Sequence, residues 1–325
     1  MKRLNFSKIC QDLISDLPEK QKEVLSRRFG LKGGERQTLE EIGKSFGITR
    51  ERVRQIQEDA FSKIREKVKE YKNIFENFEK YLLRFGGIKK EDVLLEELGQ
   101  KKWEKEIYFL LSLDRKFKRY PGKKEHYPFW ALEGDFVEKA KRGVEILCQK
   151  LKEFSKPSPL EKLNIISLEK PVLVSLLEMT KKIQKNEEGF YGLREWPEIN
   201  PRGVRDRAYL VLKKFKKPLH FTEITRLIEG AHLQTVHNEL IKDGRFVLVG
   251  RGTYALREWG YEPGLVKDII VKILKENGPL EKNKILKNVL KQRMVKENTI
   301  LLNLSNKKYF LRDPKGRYNL KPGLI

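Results

Sequence analysis

Cysteine is nearly absent from this 325-residue chain: Cys10 and Cys148 lie far apart, and neither has a Cys or His neighbour at metal-ligand spacing. A disulfide scaffold and a structural zinc site are thereby excluded as organising features. Long apolar runs are missing too, the longest, such as Ile107 to Leu111, covering about five residues where a membrane helix needs about twenty. The chain is not expected to cross a membrane. Lys8, Asp12 and Asp16 interrupt the stretch after the N-terminal Met-Lys-Arg that would have to be apolar in a signal peptide, so a cytoplasmic location is expected. Histidine is scarce, and His126, His220, His232 and His237 have no cysteine partners. There is no glycine-rich phosphate loop, nucleophile elbow or acidic metal cluster of recognisable spacing, and Asp313-Pro314 reads as turn chemistry. The expectation is a protein that is not an enzyme and uses no metal or cofactor.

Negative charge is the other shortage. Asp and Glu number 46 against 70 Lys and Arg, a formal net charge of +24 with a pI near 9.8. At 39% hydrophobic and 36% charged residues, the chain is too apolar for wholesale disorder but leaves room only for small cores. Its length fits two or three average domains, or more if these are small helical modules. A positive field of this size attracts polyanions, nucleic acid first; a membrane surface and charge kept only for solubility are the alternatives.

The N-terminal seventy residues carry the sharpest pattern. From Pro18, with Glu19 beside it, an apolar stripe at Val24, Leu25 and Phe29 predicts a helix that Gly30 ends. Beyond Gly33-Gly34, Thr38 with Glu41 three residues later forms a capping box, and Leu39, Ile42 and Phe46 recur at helical spacing. Gly47 breaks that helix, Thr49 caps the next, and Val53, Ile56, Ala60 and Ile64 give the longer helix one apolar face. A short helix, a glycine turn and a longer helix make a helix-turn-helix. The outer face near the start of the longer helix carries Arg50, Glu51, Arg54 and Gln55, side-chain types that read base edges: Arg pairs with G, Gln with A, and Glu accepts from cytosine N4. An ordinary solvated helix with i,i+4 charge pairs is the competing reading.

The string Thr38-Leu-Glu-Glu-Ile-Gly-Lys-Ser-Phe-Gly-Ile-Thr-Arg-Glu-Arg-Val-Arg-Gln-Ile-Gln, preceded by Glu23-Val-Leu-Ser-Arg-Arg-Phe-Gly-Leu, closely resembles region 4 of the sigma-70 family of bacterial transcription initiation factors over roughly residues 12 to 66. The resemblance implies a domain that reads the promoter −35 element in the major groove and docks on the β-flap of RNA polymerase. It implies that Arg50, Glu51 and Gln55 face bases and that Arg52 and Arg54 lie near phosphates. In that family region 4 follows an aromatic-rich domain that opens the −10 element, whereas here it starts the sequence, so the expectation is that this chain does not melt DNA alone.

After residue 70 the chain reads as a repeat. An aromatic-x-Leu ending occurs at Trp130-Ala-Leu132, Tyr191-Gly-Leu193, Tyr254-Ala-Leu256 and Tyr318-Asn-Leu320, with the leucines 61, 63 and 64 residues apart. So regular a period is architectural. In the third copy, helical patterns over Asp206 to Lys217, around Ile224, and over Leu233 to Lys242 precede two alternating strands that flank Gly250-Arg251-Gly252; three helices and a hairpin make a winged helix. The fourth copy repeats the plan, with helices at Val266 to Lys275, after Pro279-Leu280, and at Glu297 to Leu304. The first ends in a wing rich in Lys116, Lys118, Arg119, Lys123 and Lys124, and the second is shortened.

The predicted fold is mainly α with small β-hairpins: a helix-turn-helix domain at 1–70, then winged-helix modules at 71–135, 136–200 (with a connecting helix), 201–260 and 261–325. Pro218-Leu-His-Phe-Thr-Glu-Ile and Arg245-Phe-Val-Leu-Val-Gly-Arg-Gly-Thr-Tyr-Ala-Leu resemble the HARE-type winged helix, found also in the delta subunit of bacterial RNA polymerase. That resemblance implies DNA or protein binding. Arg251 on its wing is positioned to touch phosphate or a minor groove, or simply to protect a hairpin edge. Together these features predict a sequence-specific promoter-binding protein in which the helix-turn-helix reads DNA and the winged helices add affinity, with Lys118, Arg119 and Arg251 as DNA-contacting residues on the wings. Its partners are double-stranded DNA and core polymerase; an accessory polymerase-binding subunit that acts by protein contacts is the alternative.

Overall fold

The computed structural model describes residues 4–164 and 168–322, and the chain divides into two compact units after Arg194. The fold is mainly helical, with small antiparallel sheets. The first unit opens with α1 (Phe6–Ile14), α2 (Glu19–Phe29), α3 (Leu39–Phe46) and α4 (Arg50–Val68). The first winged module follows as α5 (Lys72–Arg84), β1 (Ile88–Lys90), α6 (Glu91–Gly99), α7 (Glu104–Leu113), β2 (Phe117–Tyr120) and β3 (Phe129–Leu132), and the second as α8 (Phe136–Phe154), α9 (Leu160–Leu163), α10 (Lys170–Met179), β4 (Ile183–Lys185) and β5 (Tyr191–Leu193). The second unit holds the third module, α11 (Gly203–Phe215), β6 (Leu219–His220), α12 (Phe221–Arg226), α13 (Leu233–Lys242), β7 (Phe246–Gly250) and β8 (Thr253–Leu256). The fourth is α14 (Val266–Asn277), α15 (Lys282–Gln292), α16 (Glu297–Leu304), β9 (Phe310–Arg312) and β10 (Tyr318–Leu320).

All four aromatic-x-Leu endings lie on strands, and in every module the aromatic pairs with the residue two positions before the second helix. The pairs are Lys89 with Trp130, Ser158 with Tyr191, Leu219 with Tyr254, and Leu280 with Tyr318. In the first and third modules this makes a three-stranded sheet in which the final strand is central, order β1-β3-β2 and β6-β8-β7; in the second and fourth the outer strand shrinks to a single bridge. The third helices share a code as well. Ten and six residues before the first wing strand stand buried apolar side chains: Ile107 and Leu111, Leu173 and Leu177, Val236 and Leu240, Ile300 and Leu304. These positions are four apart, one turn of helix, so both point into the module's core.

Residue 70 is not a boundary in the core. Ile9, Leu13, Leu25, Phe29, Phe61 and Ile64 of the helix-turn-helix domain share one buried cluster with Ile107, Phe109, Leu110 and Leu113 of α7. The ring of Phe109 meets Phe29 edge-on at 5.1 Å between centroids and Phe61 at 6.3 Å. The sequence reading of a separate small core for the first module is corrected here for a physical reason: α7 is apolar on more than one side and must bury both. The second module is attached to the first in turn. The Ser175 hydroxyl of α10 donates to the Ile88 carbonyl, the buried Lys89 ammonium pairs with Glu178 at 3.0 Å, and the Tyr127 amide of the first wing donates to the Met179 carbonyl at 2.9 Å.

One tie between α1 and Tyr71, the residue just before α5, makes stability depend on alkaline pH. Tyr71 donates to Asp12 at 2.6 Å, and that hydrogen bond, ahead of burial and the Asp12 charge, pushes the phenol up from 10.0 to about 12. The folded state holds this proton more tightly than the unfolded chain does, so the stabilisation is complete below the unfolded pKa near 10 and is lost as pH rises through about 12. Tyr71→Phe is expected to lower stability at neutral pH and to remove part of the decline across that alkaline window. Urea midpoints recorded against pH for both proteins check this; parallel curves would contradict it.

Candidate nucleic-acid interface

The turn between α3 and α4 is fixed by local chemistry. The Thr38 hydroxyl accepts from the Glu41 amide at 3.2 Å while the Glu41 carboxylate accepts from the Thr38 amide at 2.6 Å, the reciprocal capping box expected from the sequence. Gly47 closes α3 in the left-handed region at φ +64°. Gly43 lets the chain cross back over α3, because a Cβ there would stand 2.7 Å from the Ile48 carbonyl oxygen. Thr49 then caps α4, accepting from the Arg52 amide at 3.2 Å. A small core of Val24, Ile42, Val53 and Ile56, flanked by Leu39, Phe46 and Ile48, holds the three helices together.

With Val53 and Ile56 turned inward, Thr49, Arg50, Glu51, Arg52, Arg54 and Gln55 are all exposed. The residues of this domain expected from the sequence to contact DNA therefore all lie on the solvent side of α4 and the turn before it. Two pairs order that face: Arg54 forks onto the Glu51 carboxylate with contacts of 2.8 to 3.1 Å, and Arg52 donates to the Gln55 side-chain carbonyl at 3.0 Å. The Arg54 hydrogen bond holds the Glu51 carboxyl below the usual carboxylate range, so it stays an ionised acceptor at neutral pH. Arg50 has no ion pair among the described residues. Both pairs are solvent-exposed and so contribute little to stability. Lys44, paired with Glu40 at 3.9 Å and not singled out by the sequence reading, lines a shallow concavity with Gly47, Ile48, Thr49 and Arg52 at the start of α4.

Residues 13–66 match the family Sigma-70, region 4. Over 55 residues the chain is 51% identical to the RNA polymerase sigma factor SigA of Bacillus sp., a stretch that is 17% of this chain and 15% of that protein. The chain thus spans about a seventh of the length of the curated relative it matches. The region 4 match supports a transcription-related DNA-binding role for the N-terminal domain.

The cations expected on wings fare differently. Lys118 is exposed on β2 but pairs with Glu133 at 2.7 Å. Arg119 forks onto the buried Glu91 carboxylate at the start of α6, with its Nη2 donating at 2.8 Å. The structure thus supplies both with acidic partners that the wing sequence alone does not show. Arg251, at the tip between β7 and β8, is exposed and forms no ion pair among the described residues. His126 forms a backbone bridge with Thr180, and His220 caps α12 through its Nδ1 near Thr222. No group of three or more His, Cys, Asp or Glu among the described residues is arranged to hold a metal ion. No helix of the described residues is long and apolar enough to cross a membrane.

Proposed function

We propose that this protein is a transcription initiation factor that reads a −35-like promoter element through α4. The observation that carries this reading is the outward face of α4, where Arg50, Glu51, Arg54 and Gln55 project from a helix immobilised by Val53 and Ile56 within a region 4 match. Glu51 and Gln55 select bases, Arg50 reads or positions, and Thr49, Arg52 and Arg54 hold phosphates. Core RNA polymerase is the partner the reading implies. The apolar side of α1, α2 and α4 is already filled by α7, so a β-flap contact has to use the surface α7 leaves open. The test is a binding-site selection on the full chain and on Gln55→Ala. A bidentate side chain contributes roughly 1–3 kcal/mol of discrimination, so the variant is expected to lose preference at one or two base pairs while keeping the rest of the motif. Recovery of the wild-type motif at equal strength would remove Gln55 from the reading face.

One observation favours an accessory polymerase subunit acting by protein contacts as a second reading: α7 and α10, the third helices of two winged modules, are covered by other elements of this chain and so are not free to enter a groove. Capture of core polymerase by the full chain, with no sequence preference in the selection, would decide for it.

A further inference from the structure

The four winged modules share one plan and differ in what their third helix and wing tip are free to touch. The third helix is the second helix of each module's helix-turn-helix pair, the position that enters a major groove in that motif. Eight residues before the first wing strand stands the outermost side chain of this helix: Phe109, Ser175, Asn238 and Leu302. Phe109 and Ser175 are fully buried, one against Phe29 and Phe61, the other with its hydroxyl on the Ile88 carbonyl. Asn238 is exposed and Leu302 is 74% exposed.

The wing tips divide along the same line. In the first module the tip segment is engaged by the second, with Tyr127 donating to Met179 and Lys181 to Glu125 through the backbone. In the other three a glycine in the left-handed region stands four residues before the terminal leucine: Gly189 (φ +89°), Gly252 (φ +67°) and Gly316 (φ +80°). The residue before that glycine is Glu188 in the second module, with Glu187 beside it, but Arg251 in the third and Lys315 in the fourth. Lys315 follows Arg251 by 64 residues, the same interval as Leu320 after Leu256, so the two cations occupy one structural position. Both are exposed and without an ion pair among the described residues.

The fourth module adds a stripe. Lys284, Lys287 and Lys291 recur at three and four residues along α15, opposite the buried Ile285 and Val289, and none has an ion pair among the described residues. The carboxylates nearest in sequence, Glu281 and Glu297, pair with none of them, and Asp313 by the wing is taken by Arg317 at 2.9 Å. An acidic partner is therefore missing where one would neutralise the surface, and the complementary ligand is a regular array of negative charge.

We propose that the third and fourth modules carry a second duplex-DNA surface, its phosphates held by Arg251, Lys315 and the Lys284, Lys287 and Lys291 stripe, and that the first and second modules are the scaffold of the region 4 domain. The proposal deepens the DNA-binding reading above and takes its ligand class from it.

The test uses the full chain and two short duplexes, one bearing the selected site and one scrambled, with binding measured across salt concentrations. Each lost phosphate contact lowers the slope of log K against log salt by about 0.9, so Lys284→Gln/Lys287→Gln/Lys291→Gln is expected to flatten it by roughly 2.7 and Arg251→Gln/Lys315→Gln by roughly 1.8, equally on both duplexes. Lys118→Gln, on the scaffold, is expected to leave the slope unchanged. Wild-type slopes in both multiple variants would overturn the proposal and assign this surface to another ligand; a flattening by Lys118→Gln as large as one stripe lysine would overturn its scaffold half. If instead the α4 reading fails, the wild type binds both duplexes equally while the slope changes remain readable.

Discussion

Phe109→Ala is expected to destabilise the first unit by about 3–5 kcal/mol, the range for removing a buried aromatic ring from a core that refills incompletely. The ring is fully buried and contacts Phe29 of α2 and Phe61 of α4. It therefore sits where a module read from the sequence as separate meets the domain that matches region 4. Because Leu25, Phe61 and Ile64 belong to the same cluster as Phe109 and Trp130, the loss is expected to appear at both ends together. Amide exchange should accelerate in α4 and in β3 by similar factors. Faster exchange confined to α5–β3, with α4 fully protected, would show that the two parts fold independently. Because α4 carries the proposed recognition residues at one end and Phe61 and Ile64 at the other, loosening α7 is expected to weaken DNA binding from a distance.

The elements that were legible in the sequence are those whose signals are local. Leu233–Lys242 and Glu297–Leu304 are helices over the spans that periodicity assigns them, and Thr38, Gly47 and Thr49 cap and break as their chemistry requires. The α4 face was legible for the same reason, since Val53 and Ile56 fix which residues point outward. What the sequence concealed is pairing at long range. Glu91 and Arg119 are 28 residues apart and are joined only by the sheet that sets β1 beside β3 and β3 beside β2. The first strand of the second module is a single bridge at Ser158, too short for any alternating pattern. One long-range fact did leave a trace: Ile107, Phe109, Leu110, Leu111 and Leu113 cover more than one side of α7, which a helix with a single buried face does not need.

The second large effect is expected from Leu256→Ala. Leu256 ends the third aromatic-x-Leu unit, is fully buried on β8, and packs in a cluster with Leu212, Ile224, Val236, Leu240 and Phe246. Truncating a buried leucine costs about 2–5 kcal/mol, and the upper part of that range applies where the surroundings cannot close on the cavity. Here the side chain lies on the central strand of three and is walled by helices, so little collapse is available. The same substitution at Leu132, 5% exposed and in the cluster shared with α1, α2 and α4, is expected to loosen the first unit instead. Regional amide exchange separates the two cases. Leu256→Ala should raise exchange from α11 to β8 and leave α4 protected, and Leu132→Ala should do the reverse. If either variant raised exchange equally in both units, the repeated leucines would not be closing distinct cores, and the second unit could not serve as a DNA-holding arm whose stability is set independently of the reading helix.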